Sequence, residues 1–446
     1  MTAHKTLVSV AFLLAVRLSV FSGAASAQGI APLRLSLEEA EMRALAASHR
    51  LAEAQALAAA AEATVDVRDA ADRPIVGIGA SYMRTRHVTP FVTIGAPGGL
   101  TVLYPDIPDN YLTRLDFEWP IFDGGRTGAL ERAARAEASA AAADVAAAQG
   151  DLRLEVARAF WAVVTAQSAA EVVKQSLARA QQHVEDARQR RAAGLVPPNE
   201  IAAAEAQASR QRMLLIEAEN QRALASAELA RLIGVDLRQP IDIVETLELP
   251  PPVTSPFDSL VAQARMKRGE RRALEQRVGA AAEQREAASA GRRPNVAITG
   301  GVDYANPNPR IFPRAGRWDD FWDATVNVGW SLWDGGRTRA EVLQAANLAN
   351  AARQRLDEFD STLALEVQQR LLEIDSGRAA VIAADDGVRA AAENRRVVNE
   401  RFMAGLISQT EALDAETDLL EAELDRTRAI ATVRLAEARL DRAIGR

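Results

Sequence analysis

The residues best placed to do chemistry are Asp123-Gly124-Gly125-Arg126-Thr127 and a near copy, Asp334-Gly335-Gly336-Arg337-Thr338. Glycine-rich turns that open a helix can cradle a phosphate on unpaired backbone N–H groups. Both copies lack the G-x-x-x-x-G-K-[ST] and G-x-G-x-x-G spacings of known phosphate loops. Their chemistry is structural instead: the aspartate caps a helix start and the paired glycines supply positive φ at a strand-to-helix corner. The four histidines, His4, His49, His87 and His183, are too scattered for a metal site. His183 is expected on a solvated helix face. No nucleophile motif appears, and without a cysteine the chain has no disulfide, thiolate ligand or lipidated Cys. Neither an enzyme nor a bound cofactor or metal is expected.

The two copies stand 211 residues apart, and so do Leu154–Val156 and Leu365–Val367, and Ala193–Leu195 and Ala404–Leu406. One offset shared by three landmarks means a duplicated unit. Residues 1–27 read as a secretory signal peptide, with Lys5 in a basic start, an apolar run from Leu7 to Val16 and Ala25-Ser26-Ala27 as cleavage site. The mature chain then divides into a first repeat, 28–234, a proline-rich linker, 235–256, and a second repeat, 257–446. The formal charge of −7 becomes −9 once Lys5 and Arg17 leave, which argues against nucleic acid as a partner.

The elements that must position these turns alternate between two languages. Residues 127–193 and 338–404 are dense in strong helix formers. At about 1.5 Å per residue each would reach roughly 100 Å, longer than a compact domain allows. Shorter helices are expected at 36–72, 200–233, 256–291 and 409–444, packed in coiled-coil fashion. Tip turns at 194–199 and 405–408 join each long helix to its return. Period-two alternation marks Leu112–Phe122 and Trp322–Trp333, with weaker partners at Pro74–Met83 and Asn295–Tyr304. These make two hairpins, 74–122 and 294–333, with loops near 84–110 and 305–320. All four tyrosines and five of six tryptophans fall in them. Strands of about ten residues, apolar on one face and aromatic near their ends, read as transmembrane β-barrel strands. Only helices and closed barrels cross a bilayer, and four strands cannot enclose a lumen, so several chains must share one barrel. Asp116, Glu118, Asp303 and Asp323 would give that barrel an acidic lining.

The signal peptide, the duplicated halves and the W-x-x-[FW]-D-G-G-R phrase before each long helix together resemble the TolC-like outer-membrane efflux proteins. Ser36–His49 also resembles that family's opening helix, although His49-Arg50 departs from its usual Asn-Pro-like ending. The resemblance implies a mainly α fold with a membrane β-barrel. A homotrimer would close a 12-stranded barrel in outer-membrane lipid and continue it as an α-helical tunnel into the periplasm, with 235–256 in a belt around it. It implies a passive exit channel of a tripartite efflux or type I secretion system. A periplasmic adaptor and an inner-membrane pump or ABC secretion transporter would be its partners. Adaptors would dock at the tip turns, Gly194, Leu195, Gly405 and Leu406. Glu411, Asp414 and Glu200 match acidic residues that constrict the family's periplasmic tip, while Ser408-x-x-Glu411 also reads as a capping box. Ile407 stands where the family's best-known member has an arginine, and Phe402 where it has a tyrosine, so the closed-state latch is expected to differ. The rival reading is a soluble periplasmic coiled-coil adaptor or scaffold, which would not need two aromatic-rich hairpins.

Overall fold

The computed structural model describes residues 32–95, 98–194 and 196–446. The expected signal peptide and Leu195 lie outside the described residues. The chain runs β1 (Leu33–Leu35), α1 (Leu37–Ala47), α2 (His49–Asp69), β2 (Ile75–Arg84), β3 (Phe91–Gly95), β4 (Gly99–Tyr104), β5 (Asp109–Phe122), α3 (Arg126–Ala192) and α4 (Pro198–Leu232). The second half runs β6 (Ile241–Ile243), α5 (Phe257–Lys267), α6 (Gly269–Ser289), β7 (Asn295–Asn306), β8 (Asp319–Gly329), α7 (Arg337–Met403) and α8 (Gln409–Ala443). Helices α3 and α7 have 67 residues each, and α4 and α8 have 35 each. Each pair starts and ends 211 residues apart.

Among the described residues the main sheet has the order β2-β5-β7-β8, antiparallel throughout. The helices attached to those strands pack in the same order: α2 on α3, α3 on α6, α6 on α7. Farther from the sheet, α4 and α8 take the places of α2 and α6, so the order becomes α4-α3-α8-α7. The wall is therefore four elements wide at every level, with β2, α2 and α4 along one edge and β8 and α7 along the other.

Register sorts the two faces of the sheet. Ile78, Leu115, Val302 and Trp322 form one row across all four strands. Displaced by one residue, Gly79, Arg114, Asp303 and Phe321 form a row on the opposite face. Successive side chains alternate faces, so the apolar row repeats every second residue. At one end of this apolar face Tyr82, Tyr111, Trp318 and Tyr304 stack in a chain with centroids 5.0, 5.9 and 4.9 Å apart. At the other end the Trp119 and Trp330 indoles donate to the carbonyls of Asp72 and Arg292 at 3.2 and 3.1 Å. Aromatic girdles at both ends of an apolar band are the mark of a lipid-facing barrel wall.

The packed core is not in the sheet but around the middle of the helices. Val156, Phe160 and Val163 of α3 pack with Leu35, Leu229 and Ile243, which brings β1 beside β6 as a short parallel pair. A second cluster joins Leu363, Val367 and Ile374 of α7 to Leu440 of α8 and Leu260 of α5. Gly377 marks a close approach: a Cβ there would meet Val433 Cγ2 at 2.9 Å.

Several elements differ from the sequence expectation, each for a local reason. The helices expected over 36–72 and 256–291 are each broken in two. Ser48 is extended and its hydroxyl caps α2 by accepting from the Leu51 N–H at 3.2 Å. Arg268 is extended as well, because its side chain turns inward to carboxylates and helix-end carbonyls. The loop 84–110 holds a hairpin of its own, β3–β4. Strand β8 starts at Asp319 and stops at Gly329, leaving Trp330 and Trp333 beyond the ladder and exposed.

Candidate functional site

The strand-to-helix corners are built alike. Asp123 Oδ1 accepts from the Gly125 N–H at 3.0 Å and Oδ2 from the Thr127 N–H at 2.6 Å. Asp334 accepts from Gly336 and Thr338 at 2.9 and 2.8 Å. The N-cap residue itself is glycine in both, Gly125 at φ 87° and Gly336 at φ 89°. The aspartates therefore act from two residues before the N-cap rather than as the cap itself. Hydrogen bonds from Thr338, through its hydroxyl and then its N–H, hold the Asp334 carboxyl down at about 2. A carboxyl lowered by folding stabilises the fold above its ordinary range near 3.8, and that stability fades as pH falls from there toward 2. Asp334→Asn is expected to flatten this acid limb of a pH–melting curve; an unchanged limb would rule the corner out as its source.

The surroundings of the two corners differ. Gly124 has φ 74°, and a Cβ there would lie 2.8 Å from Arg293 Cβ and 2.9 Å from the Ala290 carbonyl oxygen. Arg293 also donates to the Gly124 carbonyl at 2.7 Å. Around Gly335 a Cβ meets nothing within 4 Å. In the folded single chain Gly124→Ala is expected to cost about 2 kcal/mol more than Gly335→Ala, read as the difference in thermal midpoints.

On the polar face of the sheet, Arg114 is held by Asp303 at 2.6 Å and Asp323 at 3.0 Å, and Arg310 reaches the same two carboxylates. The lining expected to be acidic is thus largely an ion-paired network, with Glu118 left exposed. Sequence reading named the acids but missed Arg114, whose alternation with Asp116 and Glu118 on β5 was the available signal.

At the far end of the long helices, Gly194 and Gly405 end them at φ 78° and 75°, and Leu406 is exposed at the second turn. Glu200 lies in the first turn of α4, half-buried and without a partner among the described residues. Ser408 and Glu411 form a complete capping box: the Ser408 hydroxyl accepts from the Glu411 N–H, and the Glu411 carboxylate accepts from the Ser408 N–H. Asp414, one turn on, is exposed and has no partner among the described residues. Among the described residues no hydrogen bond or ion pair joins Glu200 to the Glu411–Asp414 pair.

Two arginines that sequence reading missed tie this end together. Arg190, in the last turn of α3, stacks 4.5 Å from the Phe402 ring and donates to the Phe402 and Met403 carbonyls at 3.3 and 3.4 Å. It thus serves the unpaired carbonyls at the end of α7. Nearer the middle, Arg179 bridges Glu416 and Glu423 of α8 at 3.0 and 3.3 Å. His183 is not on a solvated face: it is largely buried, 3.5 Å from Glu416. Burial raises the Glu416 carboxyl, but His183, Arg395 and Arg179 outweigh it and hold the group below its ordinary range.

The profile of the family described as outer membrane efflux proteins matches residues 42–235 and 260–446. The chain belongs to this family. Its relatives include protein CyaE of Bordetella pertussis, 27% identical over 317 residues. That match spans 70% of this chain and 66% of CyaE's own length. The fold is similar to the outer-membrane channel OprN, with TM-score 0.75 and 20% identity over 92% of this chain and 89% of that one. It is also similar to the outer membrane protein VceC of Vibrio cholerae, at TM-score 0.73 and 21% identity over 92% and 96%. As an outer membrane efflux protein the chain resides in the outer membrane and extends into the periplasm, and the soluble-adaptor reading is set aside. No helix among the described residues is long and apolar enough to cross a membrane.

Proposed function

We propose that three copies of this chain form one passive exit duct, receiving cargo from an inner-membrane transporter through a periplasmic adaptor and releasing it outside. One observation carries the reading: both edges of the four-element wall are unsatisfied along their whole length. Strands β2 and β8 each have one free edge, which a chain in a membrane must pair. Among the long helices the large exposed apolar residues follow the same two edges. They include Leu57 and Val67 of α2 and Ile216 and Leu224 of α4 on one, and Leu365 and Leu372 of α7 on the other. Pairing β8 of one copy with β2 of the next would close a 12-stranded barrel and a 12-helix wall together.

The duct performs no chemistry; energy enters at the transporter. Glu411, Asp414 and Glu200 are its constriction in this reading, and Gly194, Leu195, Gly405 and Leu406 form the surface an adaptor grips. Whether the transporter is a drug or metal pump or an ABC secretion machine lies with that surface. The deciding experiment is the native mass of the detergent-extracted protein together with its membrane fraction. A trimer from the outer membrane is expected, and a monomer or dimer would remove the shared barrel. Arg190 joins the ends of the two helical hairpins, so Arg190→Ala is expected to raise the resting single-channel conductance several-fold in planar bilayers. Unchanged conductance would mean that this contact does not hold the end closed.

A further inference from the structure

A cluster of arginines lies where α8 ends and α6 begins, between α3 and α7. It lines a cavity of about 300 Å3. Two members are used up structurally. Arg268 binds Glu270, Glu366 and the Ala443 carbonyl, and Arg442 binds Asp151 and Glu270. Those pairs consume every carboxylate that lines the cavity. Three further guanidinium groups remain. Arg158 of α3 has no partner among the described residues. Arg370 of α7 reaches only Glu373 on its own helix, and its buried Nε has no acceptor. Arg439 of α8 has only the same Glu373, at 3.5 Å. Counted over the whole cluster, five arginines face four carboxylates, Asp151, Glu270, Glu366 and Glu373, which leaves one positive charge over. A buried guanidinium donor without an acceptor is costly, so the cavity favours an oxyanion.

Arg158 also lines a second, adjoining cavity of about 420 Å3 in the α3–α8 groove. Trp161, Ala162 and Ala166 of α3 and Leu424, Ala431 and Leu435 of α8 make that groove mainly apolar. A charged site and an apolar slot that share one arginine suit a ligand with an anionic head and an apolar body. The arginine site is lined by α3, α6, α7 and α8 and the groove by α3 and α8, whereas a separate cavity that shares Leu154 and Arg442 with the arginine site takes in Leu37 and Glu41 of α1.

We propose that each copy carries a transit site for amphipathic anions here, with the head at Arg158, Arg370 and Arg439 and the body along the α3–α8 groove toward Trp161. Its placement in the bore rests on the duct reading; its binding chemistry does not. The groups lie within one copy, away from both free edges, so assembly leaves the site open. Three sites would form a cationic zone midway along a bore whose far end is acidic.

The test uses the full chain in nonionic detergent and 4-butylbenzoate as probe, with inorganic phosphate and 4-butylbenzylammonium as controls, by titration calorimetry. Wild type is expected to bind 4-butylbenzoate more tightly than phosphate and to show no binding of the ammonium. Arg158→Gln is expected to weaken 4-butylbenzoate about tenfold, and Arg158→Lys to recover part of that. Ala162→Leu, on an exposed position, fills the groove and is expected to weaken 4-butylbenzoate but not phosphate. Equal binding by wild type and Arg158→Gln/Arg439→Gln, or equal binding of the ammonium, overturns the proposal. Phosphate binding as tight as 4-butylbenzoate would remove the groove and with it the amphipathic ligand. In planar bilayers 4-butylbenzoate should reduce the wild-type current. Channels that bind it without loss of current refute the bore placement, and a chain that forms no channel refutes the duct while calorimetry still decides the site.

Discussion

In planar-bilayer recordings the Asp414→Asn channel is expected to lose most of its block by divalent cations and much of its cation preference, with its melting midpoint unchanged. Of the tip acids without a partner among the described residues, Glu200 is half-buried and Asp414 exposed, while Glu411 is committed to the Ser408 cap. Three aspartates about 6 Å from a central ion in bulk-like water would each attract a monovalent cation by about 0.7 kcal/mol, or about 2 kcal/mol together. A divalent ion gains about twice that, so the ring favours it by about 2 kcal/mol, roughly thirtyfold in occupancy. Glu411→Ala is the contrasting variant. It breaks the capping box and is expected to cost about 1 kcal/mol of stability. Block that persists in Asp414→Asn would move the constriction elsewhere.

Replacing Arg73 is expected to break the assembly while leaving the single chain folded. Arg293, at the end of α6 and followed by Pro294, donates to the Gly124 carbonyl at 2.7 Å. Arg73 occupies the same place at the end of α2, followed by Pro74, but among the described residues its side chain pairs with Asp69 of its own α2. The corner it should serve, Gly335, is open to solvent. In a closed ring that corner belongs to the neighbouring copy. Each such charged hydrogen bond contributes about 2 kcal/mol and recurs three times per ring, so Arg73→Ala is expected to shift native mass toward monomers. Arg293→Ala should instead lower the melting midpoint of the chain and leave its mass alone. Identical behaviour of the two variants would mean that the interface is not a copy of the internal contact.

Much of this was legible because the repeat is nearly free of insertions. A pattern of period two against strong helix formers separates β5 from α3 and β8 from α7 without ambiguity, and the glycine pairs mark the corners between them. What escaped notice depends on partners distant in sequence. The local signals for the breaks, a capping serine at 48 and a glycine at 269, are weak; the second break is fixed by carbonyls 174 and 175 residues away that take the Arg268 donors. Arg114 was passed over because the acids beside it dominated the reading, and Arg190 because its partners, Phe402 and Met403, lie on another hairpin. The ends of the helices were visible from glycine and proline. How those ends are held depends on pairings across the wall, and a single strand of text does not contain them.

The unbroken length of α3 and α7 has a mechanical consequence. A rod of roughly 100 Å anchored at the barrel is a long lever, and moving its free end by about 10 Å needs a tilt of only about 6°. Spread along the helix, that is about a tenth of a degree per residue, within the gentle curvature that long helices show anyway. Wide dilation of the periplasmic mouth would therefore leave the strand ladder undisturbed, and the membrane seal would stay intact while the far end swings.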